Sequence, residues 1–116
     1  MVALGEHTAG VMGTDNAIVE KLLAAARRVG EDMWALPLSE PLRDKLKSSV
    51  ADLKNCGDRY GGAITAGLFL REFVGDIPWA HIDIAGPAFS EKSQNGMIEG
   101  GTGYGVSTLI DFLAKQ

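Results

Sequence analysis

The residues with the most chemical promise are His81 and Asp83, two apart in the run Trp79-Ala80-His81-Ile82-Asp83-Ile84-Ala85. That run follows Pro78 and alternates. It reads as a strand with Ala80, Ile82 and Ile84 on one face and Trp79, His81 and Asp83 on the other. Side chains at i and i+2 of a strand share a face, as a pair of metal ligands or a base oriented by a carboxylate requires. A zinc site takes at least three protein ligands, and beside its carboxylates the chain offers only His7, His81 and Cys56. No motif gathers carboxylates to complete such a set. The pair therefore reads as a histidine satisfied by an aspartate within a sheet. Cys56, with no histidine placed beside it, reads as a small apolar wall residue rather than a nucleophile. Glu6-His7 likewise reads as a solvated turn.

Gly101-Thr102-Gly103-Tyr104-Gly105 stands before a helical pattern and offers backbone amides of the kind that cradle phosphates. A dinucleotide fingerprint, however, opens a βαβ unit and needs an acidic residue about twenty positions further on. The sequence stops before either, so the stretch is expected to be a tight turn into the last helix. No Walker loop and no nucleophile elbow is present.

The elements that must position these residues follow from periodicity. Val2-Ala3-Leu4-Gly5 is expected to open as an apolar strand. From Thr14 the period becomes 3.6, with Ile18, Leu22, Ala25, Ala26 and Val29 on one face, Thr14 or Asp15 as cap and Gly30 as the left-handed stop. Met33 to Leu36 reads as a short strand closed by Pro37. Ser39 and Pro41 then predict a helix that turns Leu42, Leu46 and Val50 inward. Ala51 to Asn55 is a candidate short strand before the small-residue loop Cys56-Gly57-Asp58-Arg59-Tyr60-Gly61. The next helix, from about Gly62 to Val74, is apolar almost all round and is expected to be central and covered. A final helix from about Val106 to Ala114 sets Val106, Leu109, Ile110 and Leu113 in register. Strands alternating with helices predict an α/β fold, a layered sheet within one domain spanning residues 1–116.

Composition narrows the function classes. The 116 residues carry 11 Lys and Arg against 15 Asp and Glu, a net charge of −4, and are 46% hydrophobic. A core is therefore available, and the clustered basic surface that nucleic acid or an anionic membrane would need is not expected. The nearly apolar stretch Gly61 to Leu70 is half the length of a membrane span. One cysteine and no opening signal segment make the cytoplasm the expected compartment.

Four blocks taken together resemble the C-terminal part of the leucyl (cytosol) aminopeptidase family. They are Val2-Ala3-Leu4-Gly5-Glu6-His7-Thr8-Ala9-Gly10, Ala51-Asp52-Leu53-Lys54-Asn55, Gly61-Gly62-Ala63-Ile64-Thr65-Ala66-Gly67-Leu68-Phe69-Leu70, and Trp79-Ala80-His81-Ile82-Asp83-Ile84-Ala85-Gly86. The resemblance runs over essentially the whole chain in the same order. It implies a three-layer α/β/α arrangement with a mixed sheet, an incomplete part of an aminopeptidase catalytic domain. It also implies a cytoplasmic two-metal exopeptidase that releases N-terminal residues from peptides, usually as a homohexamer. In that family two divalent ions, zinc or manganese, are held by carboxylates and a lysine upstream of this segment. One of the carboxylate sources is an Asn-Thr-Asp-Ala-Glu-Gly-Arg motif that this sequence does not contain. By the same resemblance Ala85 and Ala88 line the pocket for the first substrate side chain, Cys56 borders the next pocket, and His81 and Asp83 are not ligands. The resemblance thus predicts no catalytic or metal-binding residue within the chain, which is expected to be a truncated and inactive segment. The alternatives are a non-enzymatic binding or assembly module that pairs an exposed strand with another chain, and a different hydrolase built on His81 and Asp83.

Overall fold

The computed structural model describes residues 1–93 and 98–115. Its central strand, β1 (Ala9–Gly13), is one that periodicity does not announce, because two of its five residues are glycine. Gly13 is needed for close approach of main chain, while Gly10 leaves room for the end of the Leu36 side chain. A Cβ on Gly10 would stand 2.7 Å from Leu36 Cδ1, and one on Gly13 would stand 2.6 Å from the Trp79 carbonyl oxygen and 2.9 Å from Val19 Cγ2. β1 pairs in parallel with β2 (Met33–Ala35) and antiparallel with β3 (Ala80–Asp83), giving a mixed sheet in the order β2-β1-β3. Alternation along β1 defines the layers. Met12 points to one face, where its Sδ sits 2.8 Å from the Cβ position of Gly67 in α2 (Gly62–Arg71). Gly13 points to the other, toward Val19 of α1 (Asn16–Val29). The sheet is thus sandwiched between α1 and α2, the α/β/α arrangement expected. Ala9, Val11, Met12, Leu22, Ala25, Leu46 and Leu68 are buried around it.

α1 forms as its sequence predicts. Asp15 Oδ1 accepts the amides of Ala17 at 2.7 Å and Ile18 at 3.3 Å, satisfying orphan N–H groups of the first turn. Gly30 closes the helix at φ 79°. Thr14 is not the cap; its Oγ1 accepts the Trp79 amide at 3.1 Å and ties the end of β1 to the start of β3.

Four expectations are corrected. Residues 2–7 are turns rather than a strand, closed by a Gly5 amide to Met1 carbonyl bond of 2.9 Å; the strand begins four residues after Gly5. Ala51 to Asn55 is not a strand but lies in an irregular loop. The element after Ser39 is a 3₁₀ helix, Glu40–Leu46, with no side-chain bond from Ser39; Leu46 is buried but Val50 is 94% exposed. The apolar helices are also less covered than their composition predicts. In α2, Leu70 is exposed, as is Phe73 beyond its end. In α3 (Val106–Ala114), Val106, Leu109, Ile110 and Leu113 are 57%, 45%, 64% and 67% exposed while Thr108 is fully buried. A two-residue ladder, β4 (Phe89–Ser90) with β5 (Gly100–Gly101), precedes α3. Gly96, which with Gly100 to Gly105 makes a glycine-rich stretch of the sequence, lies outside the described residues.

α3 is anchored on α1 by one carboxylate. Gly105, at φ 91°, provides no side-chain cap. Instead Glu31, just past the end of α1, reaches the α3 N-terminus: Oε1 accepts the Gly105 amide at 3.0 Å, and Oε2 accepts the Thr108 amide at 3.2 Å and its hydroxyl at 2.5 Å. A negative charge there also meets the positive end of the helix dipole. The Tyr104 hydroxyl donates to the Asp32 carbonyl beside it. Further along, Arg28 donates from Nε at 2.8 Å and Nη2 at 2.5 Å to Asp111 Oδ2, and this holds the Asp111 carboxyl below its ordinary pKa. Replacing Glu31 with Ala leaves three donors without their acceptor, one on a fully buried side chain. We expect a loss of about 2 kcal/mol in urea denaturation, with Glu31→Gln losing less. A loss below about 0.5 kcal/mol, the level of an ordinary surface change, would show that α3 is held by other contacts.

Candidate functional site

β3 places His81 and Asp83 opposite Met12 and Gly10 of β1, on the side of the sheet that faces α2. The two side chains share a face as predicted but are engaged separately. The His81 ring stacks on Trp79, centroids 6.1 Å apart with planes inclined 21°. Asp83 Oδ1 accepts the Ala85 amide at 3.0 Å and fixes the turn that leaves the strand. Burial is the main influence on His81 and lowers its pKa, against a smaller upward pull from the Asp83 charge. An imidazole held neutral against an aromatic ring is a packing histidine, not an activated base.

The turn after β3 carries the two predicted pocket alanines. Ala85 is exposed and Ala88 half-buried. The Ala88 amide donates to the Ile84 carbonyl at 3.0 Å, and its own carbonyl accepts the Thr102 amide at 3.0 Å. Thr102 Oγ1 donates to the Pro87 carbonyl at 2.6 Å. Between the alanines, Gly86 meets the turn at the start of the chain so closely that a Cβ would lie 2.6 Å from the Gly5 carbonyl oxygen. Cys56 is an exposed free thiol in the loop before α2. That loop is fixed downstream by Lys45, whose Nζ pairs with Asp58 Oδ1 at 2.7 Å, donates to the Tyr60 carbonyl at 3.0 Å and lies 5.8 Å from the Tyr60 ring centroid. The resulting hydrogen bond to Asp58 lowers that carboxyl's pKa.

Two clefts flank these segments, and neither is lined by Cys56, Ala85 or Ala88. One, of about 240 Å³, lies over the face of the sheet that carries Asp83, between Leu4, Thr8, Leu36, Arg59, Ile64 and Asp83. The other, of about 540 Å³, runs between Glu6, His7, Glu31, Phe89, Lys92 and Tyr104. Glu6 and His7 form an exposed pair 3.3 Å apart at its mouth, the solvated turn their sequence predicts. Periodicity gives no hint of Arg59 or Leu4 as cleft residues, because each sits in a loop or turn whose path depends on distant packing. Among the described residues no group of three or more His, Cys, Asp or Glu side chains is arranged to hold a metal ion. His81 and Asp83, the best-spaced pair, are occupied by a ring contact and a backbone amide. No helix among the described residues is long and apolar enough to cross a membrane.

A glycine-lined mixed sheet between two helices, with His81 packed on Trp79 and no ion-binding cluster among the described residues, defines an α/β scaffold. The comparisons say whose. The catalytic domain of the cytosol aminopeptidase family matches residues 1–110, so the chain belongs to that family. It is 50% identical over 117 residues to a probable cytosol aminopeptidase of Aquifex aeolicus, covering 99% of this chain and 24% of that protein. It is 52% identical over 118 residues to one of Persephonella marina, covering 100% and 24%. Among solved structures it is similar to the bottromycin maturation enzyme BotP in complex with Mn, at TM-score 0.92 and 42% identity over 98% of this chain and 26% of that one. It is also similar to a mutant tomato leucine aminopeptidase, at TM-score 0.91 and 39% identity over 100% and 22%. The chain thus spans about a quarter of the length of the relatives it matches.

The His81 environment predicts a pH dependence. Burial depresses its folded-state pKa below the ordinary value of about 6.5, so near that pH the unfolded chain binds more protons than the folded one. This contribution is complete above about pH 6.5 and is lost as pH falls toward the depressed value. Stability measured by urea denaturation should therefore rise with pH up to about 6.5, and the rise should flatten in His81→Gln. An equally steep rise in the variant would assign it to other groups.

Proposed function

We propose that the chain is the C-terminal segment of a metalloaminopeptidase catalytic domain, supplying scaffold and part of the substrate pocket, and that it does not hydrolyse peptides alone. The observation that carries this reading is the family match over residues 1–110 in a chain whose described residues offer no ion-binding cluster. In two-metal hydrolases the ions polarise the scissile carbonyl and generate the attacking hydroxide. The donors present here do not fit such a pair, so no step of hydrolysis is assigned to this chain. The relative described in complex with Mn supports manganese as an ion of the whole enzyme, with zinc the other candidate from the family resemblance.

Within that enzyme, Ala85 and Ala88 wall the pocket for the N-terminal side chain of a peptide substrate. Their small side chains, on a turn just past a strand's C-terminal end, leave the room that an apolar substrate side chain fills. Cys56 borders the neighbouring pocket. Gly86, Pro87 and Phe89, the chain neighbours of these alanines, line the larger cleft, which supports a pocket wall on this turn. The whole enzyme would act in the cytoplasm, as the relatives' name of cytosol aminopeptidase suggests, and assemble as the homohexamer of its family. The free edges of β2 and β3 favour one further reading, a non-enzymatic module that pairs a strand with another chain.

Hydrolysis of a leucine anilide by the pure 116-residue chain, with and without excess Mn²⁺, tests the proposal. The expected outcome is no turnover above the metal-only blank. Turnover abolished by a chelator, or stoichiometric binding of two Mn²⁺ ions in titration calorimetry, would overturn it.

A further inference from the structure

The turn that carries Ala85 and Ala88 is held at each of its ends by a different side chain. At the entry, Asp83 Oδ1 accepts the Ala85 amide at 3.0 Å. In the middle, buried Gly86 rests against the main chain of Gly5 and Glu6. At the exit the turn is held by Thr102. Its amide donates to the Ala88 carbonyl at 3.0 Å, which extends the ladder of β4 and β5 by one bond. Its hydroxyl donates to the Pro87 carbonyl at 2.6 Å and accepts the Tyr104 amide at 3.2 Å. A hydroxyl has one proton and two lone pairs, so a single threonine oxygen serves both neighbours at once. The Tyr104 hydroxyl in turn donates to the Asp32 carbonyl, and the Gly105 amide to Glu31. The Thr102 oxygen is thus the point where the turn is joined to the junction of α1 with α3.

We propose that Thr102 is a positioning residue for the substrate pocket. Its hydroxyl fixes the end of the turn at Pro87 and Ala88, and so sets where the Ala88 methyl group stands against the first side chain of a peptide. The inference rests on the reading of Ala85 and Ala88 as pocket walls. The Asp83 bond spans two residues and fixes the turn only to its own strand, whereas the Thr102 hydroxyl reaches across fifteen. Because Ala88 contributes one methyl group, its effect on a substrate depends on where the backbone puts it. Valine in place of Thr102 keeps the shape of the side chain but leaves the Pro87 carbonyl and the Tyr104 amide without their partner, and Pro87 is buried.

Two measurements test the inference. In the 116-residue chain, amide hydrogen exchange compares the unaltered protein with Thr102→Val and Thr102→Ser. The Ala88 amide reports the bond to Ile84 that closes the turn; its protection is expected to fall about tenfold in Thr102→Val and to return in Thr102→Ser. Unchanged protection in the valine variant would overturn the inference. So would an equal loss at the Leu36 amide, which is bonded to Val11 in the sheet and would report general unfolding. The second measurement uses the whole Aquifex aeolicus relative carrying these 116 residues in place of the part they match, assayed on leucine anilide with Mn²⁺. Thr102→Val is expected to raise KM about tenfold while kcat changes less than about twofold, and Thr102→Ser to restore KM. KM does not depend on the fraction of enzyme that is folded, so a variant that is only less stable would not imitate this result. A fall in kcat with KM unchanged, or a serine variant as impaired as the valine one, would overturn the inference. An unaltered hybrid that folds and binds Mn²⁺ yet hydrolyses nothing would refute the aminopeptidase reading and leave the hold of Thr102 on the turn standing.

Discussion

The architecture depends on the Glu31 carboxylate more than on any other single group. α1 and the sheet would form without α3, since Asp15, Gly30 and the β1 pairings are local to them. α3 has no side-chain cap of its own: its N-cap residue is a glycine, and its most buried side chain is polar. A carboxylate with two oxygens can accept several donors at once, and Glu31 accepts two amides and a hydroxyl that would otherwise stand without partners at a helix end. That one residue thereby decides which face of α3 meets α1 and, by exclusion, which face is left to water. The salt bridge from Arg28 to Asp111 sets the same orientation a turn and a half further along.

A second constraint is the intimacy of backbone with backbone around β1. Gly10, Gly13, Gly67 and Gly86 each occupy a place where a methyl group would collide with a neighbour, and at Gly13 and Gly86 that neighbour is a carbonyl oxygen. The β1–β3 junction and the turn carrying Ala85 and Ala88 are therefore set at distances dictated by main chain, whereas the α2 layer is spaced by the Met12 side chain over Gly67. The main-chain contacts give way less easily than a flexible side chain does.

What the sequence made legible follows from the range of each signal. α1, β2, β3 and α3 were readable because their periodicity, caps and flanking prolines are local. β1 was hidden by its glycines, whose meaning appears only when Leu36, Trp79 and Val19 are brought beside them. Val2 to Gly5 looked like a strand because it is apolar, yet its backbone closes on itself. The apolar residues of α2 and α3 predicted burial, but hydrophobicity states what a face prefers, not whether this chain supplies the cover. The proposed pocket residues Cys56, Ala85 and Ala88 came only from family resemblance, because small side chains carry no chemical signature. Glu31 was invisible for the opposite reason: a charged residue after a helix stop looks like any solvated surface position.

The loop that begins after Leu46 has its own implication. The Lys54 amide returns to the Leu46 carbonyl at 2.8 Å, Ser48 Oγ accepts the amides of Val50 and Ala51, and the Lys45 and Asp58 pair fastens the chain further on. A segment whose two ends are already joined can be lengthened cheaply, since doubling such a loop adds only about 0.6 kcal/mol of closure entropy. Residues 47–53 are accordingly where related chains can acquire extra residues, and with them new surface, without disturbing the glycine-spaced sheet beneath.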